Sequence, residues 1–306
     1  ASHLKIHNLF FLIEDYGKVE STIKNYGFQN ITCLPKNLDL KLDTSTTIDF
    51  IEKKSIDIII VDKYDVDKFF IKSLHKKQKT VCISDLRKID YDANLVINGF
   101  IGFKNHITKN QFNSRCLLGP KYQILNNNYE KIKQKKNPEF DILATFGGFD
   151  ENNLIDFFCK ILEPYLNNIS IKIILGPATK KSKFLKNLEK KYQKNITILP
   201  ETKEMMAEIM SCRYCFCSGG ITTYELAVMS VPFAILCQYE HQKITAREWS
   251  KRNISTNLGM PGNLAKIKIE KILNELLNEQ ISTISKKQTS IDGQGAKRIS
   301  LEIEKL

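Results

Sequence analysis

Ser218-Gly219-Gly220-Ile221-Thr222-Thr223-Tyr224-Glu225-Leu226 is the stretch on which the reading of this chain turns. An apolar run, Tyr214-Cys215-Phe216-Cys217, precedes it and has the character of a buried strand. Tyr224 to Met229, after it, reads as a helix. A strand that turns into a helix through two glycines and two threonines offers backbone N–H groups and hydroxyls at a helix N-terminus, where an anion is stabilised. Glu225 falls one turn into that helix, where a carboxylate can reach a ribose diol. The same residues also fit a plain tight turn with Thr222 or Thr223 as the helix cap. Alone, the stretch leaves both readings open.

Its neighbours repeat the pattern. Upstream, Asp141–Phe146 reads as a strand ending in Gly147-Gly148, and Asn153–Leu166 as a helix. Ile169–Leu175 is a strand ending in Gly176-Pro177, Ser182–Tyr192 a helix, Ile196–Leu199 a strand and Glu204–Met210 a helix. Downstream, the strand Phe233–Cys237 ends near Gln238-Tyr239-Glu240-His241-Gln242, and helices start at about Ala246 and Ile267. This alternation predicts an α/β fold with parallel sheet. Such sheets bind ligands beyond the carboxyl ends of their strands. Gly147-Gly148, Gly176-Pro177, Gly219-Gly220 and Glu240-His241-Gln242 all fall at such ends, which together describe a nucleotide site.

The first part of the chain alternates in the same way. Strands are expected at Leu9–Ile13, Ile31–Leu34, Ile56–Val61, Thr80–Ser84, Leu95–Asn98 and Arg115–Leu118, with helices at Val19–Tyr26, Thr46–Lys53 and Lys68–Lys76. Residues 126–139 are polar and end at Pro138-Glu139, the best candidate for a linker. The expected division is therefore an N-terminal domain over 1–127, a linker over 128–138 and a C-terminal domain over 139–306.

A chain of 306 residues, 42% hydrophobic and 26% charged, can build two cores. No run reaches ~18 uninterrupted apolar residues, so stable membrane insertion is not expected. Ala1-Ser2-His3-Leu4-Lys5 lacks the layout of a signal peptide, and a cytoplasmic location is the expectation. The net charge is +12 and the pI about 9.2. Lys180, Lys181, Lys183, Lys186, Lys190 and Lys191, however, alternate with Phe184, Leu185, Leu188 and Tyr192 at helical spacing. That is a solvated helix face, and no nucleic-acid partner is expected. A milder consequence of the charge is attraction toward phosphate-bearing substrates or an anionic membrane surface. The eight cysteines sit mostly in apolar runs and read as small hydrophobes of a reducing compartment. Cys212-x-x-Cys215-x-Cys217 has no second pair or nearby His to complete a metal site. Neither a metal nor a cofactor is expected.

The motifs Thr145-Phe146-Gly147-Gly148-Phe149-Asp150, Ile174-Leu175-Gly176-Pro177, Asn195-Ile196-Thr197-Ile198-Leu199 and Ser218 to Glu225 resemble, in order, the C-terminal half of two-domain sugar-nucleotide enzymes of the GT-B type. Val231-Pro232, the Gln242 loop and Ile291-Asp292-Gly293-Gln294-Gly295-Ala296-Lys297-Arg298 continue the match. Ile60-Val61-Asp62-Lys63-Tyr64, Ile83-Ser84-Asp85-Leu86 and Cys116 to Tyr122 resemble the UDP-sugar hydrolases of the pseudaminic acid pathway, akin to spore-coat polysaccharide biosynthesis proteins. The resemblance spans essentially the whole chain. It implies two Rossmann-like domains with parallel sheets facing across a cleft. UDP would lie on the C-terminal domain, its diphosphate approached by Gly147, Gly148, Ser218, Gly219, Gly220 and Thr222, with Gly176 on the same rim. Glu225 would hold the ribose, and the segment around Ile198 and Leu199 would lie near the uracil. The N-terminal domain would hold the sugar, and water would displace UDP at the anomeric carbon without a metal.

The implied roles in the first half are less uniform. The family's Asp-His-Tyr is Asp62-Lys63-Tyr64 here. Tyr64 is a candidate catalytic residue, as hydrogen-bond donor or proton-transfer helper, or else a strand-end tyrosine packed on the next helix. Asp62 is the second candidate, or else a helix cap. His241-Gln242 stands where the family has Asn-Gln; His241 would contact sugar or phosphate, or lie in a surface loop. Asp85 is a further strand-end candidate, and Asp150 a helix cap. The family's Gly-x-Gly-His-x-x-Arg loop, whose histidine is thought catalytic, has no counterpart: His3 and His7 lack flanking glycines. The expectation is an N-terminally incomplete chain in which Ala1–Lys5 ends a helix and Leu9–Ile13 is the family's second strand. Such a chain should bind UDP and turn over poorly. The competing expectations are a glycosyltransferase of the murein N-acetylglucosaminyltransferase type, or a UDP-sugar-binding domain without catalysis.

Overall fold

Strand and helix alternate as expected through a computed structural model that describes residues 1–4, 7–14, 19–63, 66–126, 128–129, 138–280 and 291–306. The chain forms two units, one of Ala1–Gly99, Lys104–Tyr122 and Gly295–Leu306, the other of Phe100–Phe103 and Gln123–Gln294.

In the first unit β1 (Phe11–Glu14) and β2 (Ile31–Leu34) form a parallel pair. A five-stranded sheet runs β3-β4-β5-β7-β6, with β3 at Ile58–Asp62, β4 at Lys79–Ile83, β5 at Leu95–Asn98, β6 at His106–Lys109 and β7 at Arg115–Leu118. Its strands are parallel except β6, which pairs antiparallel with β7. The short connection Asn110–Ser114 permits a hairpin and no crossover. The helices are α1 (Val19–Asn25), α2 (Leu40–Lys54) and α3 (Lys68–His75). α2 starts well before Thr46 because Asp39 caps it, its carboxylate accepting from the N–H groups of Lys41 and Leu42. Ser2–Leu4 form a single 3-10 turn.

Six parallel strands make the sheet of the second unit: β8 (Phe140–Thr145), β9 (Ile171–Ile174), β10 (Ile196–Leu199), β11 (Cys212–Cys217), β12 (Phe233–Leu236) and β13 (Ser255–Gly259). They lie in the order β10-β9-β8-β11-β12-β13. The connections are α4 (Leu154–Leu162), α5 (Lys183–Lys191), α6 (Met205–Met210), α7 (Thr222–Met229) and α8 (Gln242–Lys251), and α9 (Asn263–Leu277) follows β13. The core packs Ile142, Ala144 and Phe216 of the central strands against Phe158 of α4 and Ile269 and Leu273 of α9. Every one of these is fully buried, as expected for strands covered on both faces. Cys215 and Cys217 are equally buried, in keeping with small hydrophobes, whereas Cys33 on β2 is exposed with its thiol on Glu20.

The expected domain limits differ from these units in three places, the first being that Gln123–Asn126 already belong to the second unit. The closing helix α10 (Gly295–Ile303) packs on the first unit, not the second. Its Ile299 and Ile303 are one helical turn apart and enter a core with Val81, Leu95, Ile97 and Leu117. Arg298 donates to Lys121 O at 3.0 Å, and Glu302 pairs with Arg115 at 2.6 Å. Phe100–Phe103 belongs with the second unit, where Ile101 N–H donates to the Tyr224 hydroxyl at 3.0 Å. Most of the expected linker, 130–137, lies outside the described residues.

Trp249, the only tryptophan of the chain, is fully buried in α8. Its Nε1–H donates to Thr223 Oγ1 at 3.0 Å, and its ring meets Tyr224 and Phe233 edge-on at 5.2 and 5.7 Å. It thereby braces α7, the helix of the glycine turn. Trp249→Phe removes the N–H and part of the ring, with an expected loss of about 2 kcal/mol, read as a thermal midpoint lower by several degrees. An unchanged midpoint would show the brace to be idle.

Candidate functional site

The strand order of the second unit reverses between β8 and β11, since β8 leads outward to β9 and β10 while β11 leads outward to β12 and β13. At such a reversal the loops after the two central strands run off in opposite directions and leave a crevice for a ligand. The loop after β8 carries Gly147-Gly148, and the loop after β11 carries Ser218-Gly219-Gly220.

The two loops and the rim beside them touch. A methyl group on Gly147 would stand 3.6 Å from Ser218 Oγ. One on Gly148 would stand 3.8 Å from the Pro177 ring. At Gly176, where φ is +92°, it would meet Gly147 O at 2.3 Å and Gly148 Cα at 2.9 Å, so backbone lies directly on backbone. Ala178 N–H ties the same pair of loops by donating to Gly148 O at 3.1 Å. Around Gly220 nothing lies within 4 Å of such a methyl. Gly176 is therefore needed for packing, and Gly220 leaves open space.

No side chain caps α7. Thr222 is its first residue, and Thr223 is buried with its hydroxyl donating to Gly220 O at 2.7 Å. The expected threonine cap is thus not formed. The first N–H of the turn to find a backbone acceptor is Thr223's, on Gly220 O at 3.2 Å. Among the described residues the preceding N–H groups meet no hydrogen-bond acceptor, which suits an anion at the positive end of the helix. The Asp150 carboxylate, by contrast, caps α4 through the N–H groups of Leu154 and Ile155 at 2.7 and 3.0 Å.

The loop after β12 joins this cluster through Gln238. Its side-chain amide donates to Phe149 O at 2.7 Å, its carbonyl accepts from Asn152 at 2.8 Å, and its N–H donates to Gln242 Oε1 at 2.7 Å. Gln242 is buried at the start of α8, and its Cβ comes within 2.9 Å of a methyl placed on Gly219. With its oxygen so engaged, Gln242 acts as a strut between loops. His241 is exposed and stacks on Tyr239 at 5.6 Å. Ile198 points into the core, so the β10 end offers its backbone and Leu199.

Glu225 lies one turn along α7. The Tyr129 hydroxyl donates to its Oε1 at 2.9 Å, and Thr222 hydrogen-bonds the same carboxylate. Burial holds the carboxyl above the usual carboxylate range, and these two hydrogen bonds pull it back down. Tyr129 and Gln238 were not among the residues expected from the sequence; Tyr129 falls in the stretch with linker character.

In the first unit, Asp62 is the last residue of β3 and Asp85 lies two residues past the end of the adjacent strand β4. Partial desolvation and then the Asp85 charge hold the Asp62 carboxyl above its ordinary value. Lys63 pairs with Asp43 at 2.6 Å and Glu14 at 2.8 Å. Tyr64 lies outside the described residues. Among the described residues no three His, Cys, Asp or Glu side chains group as a metal site needs, and no helix is long and apolar enough to cross a membrane.

No family model matches the chain. It is 29% identical over 269 residues to the uncharacterized protein MJ1062 of Methanocaldococcus jannaschii, covering 83% of this chain and 53% of that protein. It is 26% identical over 223 residues to the spore coat polysaccharide biosynthesis protein SpsG of Bacillus subtilis, covering 69% of this chain and 64% of that protein. The chain thus spans between half and two thirds of these relatives. Among solved structures, MurG from Acinetobacter baumannii superposes with a TM-score of 0.69 at 13% identity, over 100% of this chain and 94% of that one. The fold is therefore GT-B, with two Rossmann-like units.

Proposed function

We propose that the protein binds a UDP-sugar through its second unit and releases UDP to water, in the synthesis of a surface polysaccharide or a nonulosonic acid. The observation that carries this reading is the meeting of the Gly147-Gly148 and Ser218-Gly219-Gly220 turns at the reversal of the sheet, beneath an uncapped helix. The N–H groups there match the two negative phosphates of UDP and stabilise the charge that grows as the sugar–oxygen bond breaks. Glu225 accepts from the ribose hydroxyls. Similarity to SpsG supports a sugar-nucleotide role in polysaccharide synthesis. The attacking water needs a base. Asp62, with its carboxyl held above its ordinary value by burial and the Asp85 charge, is the candidate, and Tyr64 its candidate helper.

The test is UDP release from UDP-N-acetylhexosamines, followed by chromatography with and without sugar acceptors. Acceptor-independent release is the expected result. Release that requires an acceptor would replace hydrolysis with glycosyl transfer. Tight UDP binding without release under either condition would leave a binding domain.

A further inference from the structure

We propose that Tyr129 is a positioning residue that makes the site selective for ribonucleotides over 2′-deoxyribonucleotides. The inference rests on Glu225 holding the ribose. Tyr129 is 5% exposed, and its backbone is tied to Asn126. Asn128 N–H donates to Asn126 Oδ1 at 3.0 Å and Tyr129 N–H to Asn126 O at 3.1 Å. From there the phenol reaches 96 residues along the sequence to Glu225 Oε1.

A carboxylate has about four lone-pair positions. Tyr129 and Thr222 fill two, one from outside α7 and one from within it. The remaining two are those that a pair of neighbouring hydroxyls can fill. A glutamate held only by its own helix would sample several rotamers and lose that pairing on each departure. With Tyr129 in place the carboxylate is aimed, and the phenol hydrogen bond favours its charged form against the burial that opposes it. An analogue lacking one hydroxyl would leave a partly buried acceptor unpaired, which is the basis of strong rejection.

The experiment is calorimetric titration of the full chain with UDP and with dUDP, for the wild type, Tyr129→Phe and Glu225→Gln. Tyr129→Phe keeps the ring and its packing. The expected result is a UDP affinity about tenfold lower, with dUDP affected far less, as the loss of one hydrogen bond to a charged group implies. Equal weakening of both nucleotides would assign Tyr129 a merely structural part and overturn the proposal. Unchanged or tighter UDP binding would overturn it too, the latter showing that the phenol competes with the ribose. Failure of the underlying reading looks different: the wild type would then not distinguish UDP from dUDP, and Glu225→Gln would leave both affinities intact.

Discussion

Gly176→Ala is expected to lower the thermal midpoint of the protein and to abolish UDP binding together. The new methyl would stand 2.3 Å from Gly147 O and 2.9 Å from Gly148 Cα, and neither backbone atom has a flexible end with which to yield. The residue would also have to hold φ at +92°, a region that opposes a side chain by roughly 1–2 kcal/mol. Strain and displacement together should reach about 3 kcal/mol, a fall of roughly 6–12 °C for a unit of this size. The turn pushed aside is the one proposed to face the diphosphate, so binding goes with it. Gly220→Ala is the matched control. Nothing lies within 4 Å of its methyl. Its stability should stay within about 0.5 kcal/mol of wild type, while UDP binds more weakly because the methyl stands where a phosphate approaches. A Gly220→Ala protein that binds UDP normally would move the diphosphate away from this turn.

Glu225→Gln should weaken UDP binding by about thirtyfold or more without destabilising the fold. A hydrogen bond to a charged group contributes about 1.5–3 kcal/mol, and the ribose would offer two. The sign on stability runs the other way. Burial raises the folded carboxyl above its unfolded value, so at neutral pH the charged form opposes folding. That penalty is present above the folded pKa and fades as pH falls through it toward the unfolded value. Glutamine removes the charge and keeps an acceptor for Tyr129. Its thermal midpoint at neutral pH should equal or exceed the wild type's. In the wild type, acidification through the Glu225 pKa should weaken UDP binding as the carboxylate gains its proton. A glutamine variant that binds UDP normally would remove Glu225 from the site; one that unfolds would make it a structural residue.

The course of the chain was legible where an element carries its own local signal. Ile196–Leu199 forms a strand over the expected residues, and the Ser182 cap, with the buried Leu185 and Leu188, places α5 almost as expected. β13, Ser-Thr-Asn-Leu-Gly, and β6, His-Ile-Thr-Lys, are polar edge strands with no alternating pattern; their pairing depends on neighbours already in place. The return of α10 to the first unit depends on contacts with Val81 and Leu117, far away in the sequence. The glycine turns were legible because a backbone requirement is written in the residue type itself. Tyr129 and Gln238 were not, because side-chain hydrogen bonds across 96 and 89 residues leave no periodicity behind.

One nucleotide diphosphate is proposed to lie against the turns after β8 and β11. A crystal structure of the protein with UDP measures it directly. Phosphate oxygens are expected within hydrogen-bond distance of the Gly148, Gly219 or Gly220 N–H groups, and the ribose hydroxyls on Glu225. UDP bound elsewhere on the molecule, with those N–H groups facing only solvent, would contradict it.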